Sequence, residues 1–210
     1  MLGKSGKGRE GVHMIRERAW SIVVGAALCS MLIAFHANGG AFGANKGASP
    51  KASSCSALLP NPLLEEVEKR YRGWKIVDVG DLGSDDQVLW NQTWGTKRCP
   101  GVAIGEFLAK GEKSYGIALI RREGNADTVA EKLIHAQLKG GSYSMTELVS
   151  ENNVPVGVVQ KGEPGSYAYV YDRSKNVNVK TDTILYIHLE ASAIAFLFEA
   201  GKFSEVLISD

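Results

Sequence analysis

Asp182, His188 and Glu190 come nearest to a chemical constellation in this chain. On an extended strand His188 and Glu190 alternate onto one side, with Asp182 upstream. Such a set could work as an acid/base pair or supply two ligands to a metal. Adding Ser192 draws a Ser/His/Asp hydrolase triad. However, no nucleophile-elbow pattern surrounds Ser192, and neither a third ligand nor another nucleophile is evident. A solvent-facing strand surface explains the same residues. His135 falls out of phase with Ile134 and Ala136 and is therefore expected on the exposed side of its strand. A hydrolase using Asp182, His188 and Glu190 is the alternative reading, and no catalytic set stands clear of ordinary polar residues.

The remaining candidates concern binding and cross-linking. Cys55 and Cys99 are the two cysteines after the N-terminal apolar run. In an oxidising compartment they make one disulfide, closing a loop of about 45 residues; a catalytic thiol with a histidine base is the rival. There is no Cys-x-x-Cys, no histidine cluster and no phosphate-binding glycine loop, so neither a metal nor a cofactor is expected. Trp90 and Trp94 lie four apart and share a helix face, as a core anchor or a carbohydrate platform. Tyr167, Tyr169 and Tyr171 alternate along a strand, and the row serves either as core or as a contact surface for a protein or glycan.

The elements that must position these residues are mostly strands. Asn61 is placed as the N-cap of a helix, with Pro62 in its first turn and Gly73 past its end. Leu63, Leu64, Val67 and Tyr71 share the face that should dock on a sheet. Residues 74–79 alternate as a strand, and Ser84 is expected to cap a short helix over residues 85–94. Residues 99–107 and 114–120 read as a hairpin. Further strands follow over 131–138, 143–149, 154–160, 166–171, 177–180, 183–189, 192–198 and 203–208. Turns are expected at Gly140-Gly141, Asn152-Asn153, Pro164-Gly165 and Glu199 to Lys202. Sequential strands with short polar turns predict an α+β fold: a mostly antiparallel, meander-like sheet covered by one or two N-terminal helices.

Pro100-Gly101-Val102-Ala103-Ile104-Gly105-Glu106-Phe107, a turn, and Tyr115-Gly116-Ile117-Ala118-Leu119 together resemble the core of FG-GAP repeats. More broadly, the chain resembles uncharacterised exported bacterial proteins. These carry a single such hairpin, a Pro-Gly turn (here Pro164-Gly165), an Ala-Ser strand (Ala191-Ser192), Gly201-Lys202-Phe203 and a terminal Ile208-Ser209-Asp210. The FG-GAP pattern implies a calcium loop whose alternating positions supply oxygen ligands. Here those positions offer Glu106, Leu108, Lys110 and Ser114, so the turn is expected without the metal.

Composition sets the compartment. Before Asn45 five basic and two acidic residues give +3, whereas the remainder, with 19 basic and 21 acidic residues, carries −2. A near-neutral domain lacks the basic footprint of a nucleic-acid binder. The basic excess instead precedes an uncharged apolar run at residues 21–35, the layout of a secretory signal. Residues 1–37 are expected to be a signal peptide, or an uncleaved signal anchor that would be the only membrane contact. Translation from Met14 rather than Met1 would give a basic segment of more usual length. Residues 38–54, rich in Gly, Ala and Ser, read as a linker, and residues 55–210 as one exported domain. The expectation is a periplasmic or extracellular, non-enzymatic binding module.

Overall fold

A computed structural model describes residues 55–122 and 128–209. The expected signal and linker, residues 1–54, lie outside the described residues. After a single 3₁₀ turn at Cys55–Leu58, helix α1 spans Asn61–Arg70. The amides of both Leu63 and Leu64 donate to Pro60 O, at 2.9 and 3.0 Å, so the first turn closes one residue earlier than expected. Pro60 is thus the N-cap and Asn61 the first helical residue. Leu63 and Val67 are buried, each contributing about 1.5–3 kcal/mol of apolar burial. Tyr71 closes the helix, and Gly73 reverses the chain at φ +80°.

The strand expected over 74–79 shrinks to β1, Lys75–Ile76. Asp78 diverts it: its carboxylate accepts from Val79 N while Asp78 N donates to Asp81, forming a capping box around the 3₁₀ turn Val79–Asp81. Helix α2, Ser84–Thr93, begins at Gly83 rather than at a Ser84 cap.

Ten further strands are β2 (Val102–Gly105), β3 (Ser114–Arg121), β4 (Val129–Lys139), β5 (Ser142–Val154), β6 (Val158–Gly162), β7 (Gly165–Ala168), β8 (Asn176–Val179), β9 (Thr183–His188), β10 (Ser192–Glu199) and β11 (Lys202–Ser209). Every pairing is antiparallel. The fold is α+β, but the strands divide into two main sheets and a separate β7–β8 hairpin instead of one meander. In the first sheet β3 pairs with β4 on one side. On the other side it meets β2 and then β1 in succession. These two converge at Ala118, whose carbonyl accepts from Val77 N and whose amide donates to Gly101 O. A Cβ on Gly101 would collide with the Val77 carbonyl, so the junction requires glycine there.

The second sheet has the order β11-β10-β9-β6. Val159 N donates to Pro100 O at 2.7 Å, joining β6 to the chain just ahead of β2 along one side of the sheet pair. At the far ends stand β5 and β11. The expected Asn152-Asn153 turn is absent: β5 runs through it to Val154, with Asn153 alone taking φ 60°. Asparagine tolerates that left-handed conformation without ending the strand.

Apolar packing gives four layers. Ala118, Ile120, Leu133, Ile184, Tyr186 and Phe196 fill the space between the sheets. Leu63, Val67 and Tyr71 pack on the outer face of the first sheet against Ile117, Ile134 and Ala136. The β7–β8 hairpin covers the outer face of the second, with Val177 and Val179 among Ala195, Leu197 and Val206.

Candidate functional site

β4 lies between α1 on one side and the second sheet on the other, so both of its faces are enclosed. Ile134 and Ala136 turn toward the helix, whereas Leu133, His135 and Gln137 point between the sheets. His135 is therefore not exposed as its phase suggests; only 3% of its surface is accessible. Its ring lies edge-on to Phe107 at 6.4 Å and tilted against Phe203 at 4.9 Å between centroids. Burial pushes the imidazole pKa down from 6.5 to about 4, which keeps it neutral at ordinary pH.

Register extends this polar character across the first sheet. Ser114, Gln137 and Ser144 form one cross-strand row, and Gly116, His135 and Thr146 the next. His135 Nε2, Gln137 Oε1 and Ser114 Oγ are buried without a hydrogen-bond partner. Buried polar atoms are nearly always paired, and each orphan costs about 1–3 kcal/mol. Three orphans at one end of one sheet face are therefore a feature in need of a purpose.

Opposite this row the second sheet presents Phe196 and Phe198 from β10 and Phe203 from β11, with Phe198 and Phe203 in edge contact at 5.2 Å. The sheets part here, leaving an open cleft of about 530 Å³ between the β4–β5 and β10–β11 hairpins. Ser144 and Thr146, though inward-facing, are exposed because nothing from the second sheet covers them. A volume in this range suits a small-molecule site, about 300–1,000 Å³. The rim carries Lys139, Lys202, Glu147 and Glu205, of which Glu147 is held by Lys132 at 2.6 Å.

The hydrolase set is not assembled. Asp182 sits before β9, accepting from Glu106 N at 2.9 Å with Lys161 at 3.7 Å. His188 ends the same strand, six residues later, or about 20 Å away at the usual strand rise. Glu190 does not share its strand face: it lies exposed in the β9–β10 turn at φ 61°. The partner of His188 is instead Glu131, 3.2 Å from Nε2, a fully buried carboxylate that also accepts from Gly157 N at 2.8 Å. Burial, with the nearby Glu131 charge, pushes the Tyr186 hydroxyl well above its ordinary pKa. Glu131 thus braces β4 to β9 and to the β5–β6 link. Ser192 is the cross-strand neighbour of His188, whose Nε2 is already taken by Glu131.

The aromatic candidates are also redistributed. Trp90 is fully buried, donating from Nε1 to Arg98 O at 3.3 Å, and Trp94 stacks on it at 4.7 Å while packing on the core. These two are a core anchor, not a platform. Tyr167 and Tyr169 pack on the outer face of the second sheet, and only Tyr171, 76% accessible, is well exposed. Because β7 ends at Ala168, the three do not form a row on one strand. Cys55 and Cys99 come to disulfide distance, with Cα atoms 5.3 Å apart. Residues 100–119 form the β2–β3 hairpin, with Gly111 at φ +84° in its loop; Leu108 faces the cleft and Lys110 is exposed. Among the described residues no three His, Cys, Asp or Glu side chains gather as a metal site.

No protein-family model matches the chain, and comparison with curated proteins and with solved structures finds no match.

Proposed function

We propose that the chain is an exported, non-enzymatic binding module whose ligand lodges between the β4–β5 and β10–β11 hairpins. The observation that carries this reading is the pair of orphaned polar atoms on His135 and Gln137, which line an open cleft opposite an aromatic wall, with orphaned Ser114 Oγ beside Gln137 in the same cross-strand row. A ligand supplying the missing partners would remove a standing desolvation cost. That cost is tolerated where function requires it. The dispersal of Asp182, His188 and Glu190 favours binding over hydrolysis. The basic and apolar N-terminal segment and the Cys55–Cys99 pair support export.

Ligand-observed NMR with a library of uncharged small molecules tests the site. Hits are expected on the native protein and should vanish in Thr146→Trp, which fills the cleft from an exposed position. Hits that survive the substitution, or no hits at all, would refute the assignment. Intact mass of the secreted product, before and after reduction, tests export. A start between residues 38 and 47 with both thiols blocked is expected; full-length chain with free thiols contradicts it.

A further inference from the structure

We infer that the cleft takes a neutral saccharide. This rests on the binding reading above and names its ligand class. The two walls differ in kind. One presents hydroxyl, amide and imidazole groups from His135, Gln137, Ser144 and Thr146, and the other presents Phe196, Phe198 and Phe203. A pyranose ring has the matching asymmetry. Its C–H face packs on an aromatic ring, while its hydroxyls both donate and accept, as the groups of the polar wall do.

Other ligand classes fit less well. A fatty acyl chain would leave the orphaned atoms of His135 and Gln137 unpaired. A carboxylate or phosphate would find cations only at the rim, at Lys139 and Lys202; the polar wall within the cleft offers none, because His135 is neutral. The neutral imidazole keeps one nitrogen as donor and one as acceptor, which suits a hydroxyl on either side.

The test is a titration of the whole exported domain with cellobiose, chitobiose and decanoate, read at the His135 imidazole and Phe203 ring signals by NMR. Saturable shifts with a disaccharide, absent with decanoate, are expected. Gln137→Leu should weaken the disaccharide about tenfold, the worth of one hydrogen bond to a buried group. Ser144→Val, at an exposed position that folding does not depend on, should weaken it in the same direction. Shifts with decanoate alone would overturn the saccharide assignment and leave the cleft as a binding site. Shifts with none of the three, while the fragment hits persist, would likewise overturn the saccharide alone. Failure of both experiments would overturn both readings. Undiminished disaccharide binding in the two variants would place the sugar elsewhere and defeat the inference.

Discussion

Replacing His135 by leucine should remove a pH dependence of stability that the buried imidazole imposes. In the folded chain its pKa is lowered from 6.5 to about 4, because the charged form would be desolvated among Phe107 and Phe203. Between these values the unfolded chain binds a proton that the folded chain does not. Unfolding is therefore favoured as pH falls, and the stability is present above pH 6.5 and lost toward pH 4. At about 1.4 kcal/mol per pKa unit the full loss is about 3 kcal/mol, of which about 2 kcal/mol has gone by pH 5. Urea unfolding of native protein and His135→Leu at pH 8, 7, 6 and 5 isolates this group, since Glu131 and His188 are common to both. The variant should gain about 2 kcal/mol on the native protein between pH 8 and pH 5. At pH 8 it should not be strongly destabilised, because the orphaned Nε2 leaves with the ring. Parallel stability curves would refute the reasoning and show that the imidazole is solvated or paired when folded.

Trp90→Ala should cost about 3–5 kcal/mol in urea unfolding, because a fully buried indole leaves a cavity under α2; a cost below 1 kcal/mol would return Trp90 to the surface. Glu131→Leu should cost about 3 kcal/mol, since it strands both the Gly157 amide and His188, whereas Glu131→Gln retains an acceptor and should cost less than half as much. Equal costs for the two would remove the brace. Reduction of the Cys55–Cys99 pair, 44 residues apart, should lower stability by about 4 kcal/mol in the chain-entropy model, measured as a shift in urea midpoint with and without reductant.

Local chemistry written in the sequence carried over well. The α1 face, the Gly73 stop and the Glu199 to Lys202 turn, with Ala200 at φ 49° and Gly201 at φ 83°, follow from spacing and from glycine's backbone freedom. The pairing of Cys55 with Cys99 was likewise readable, because only two cysteines follow the apolar run. What alternation could not convey is how many layers a strand separates. His135, Gln137 and Lys139 are out of phase with Ile134 and Ala136, a pattern that in a one-sided sheet marks the solvent face. Here a second sheet stands over that face, and the same pattern marks a polar wall that faces it across the cleft. Glu131 was hidden for the same reason: a charge on a strand implies solvent until a partner such as Gly157 N is brought to it by a distant turn. Phe203, some seventy residues from His135 in sequence, reaches it only through the second sheet.

The most direct test of the central claim, that the polar wall serves a ligand and not the fold, is the folding free energy of the double variant Ser114→Ala, Gln137→Met without ligand. Groups that have no partner in the folded chain contribute nothing to holding it together. The variant is therefore expected to be as stable as the native protein, or more stable by about 1 kcal/mol per group removed. A loss of 2 kcal/mol or more would mean that these atoms are paired within the fold, and the cleft would cease to be a binding site.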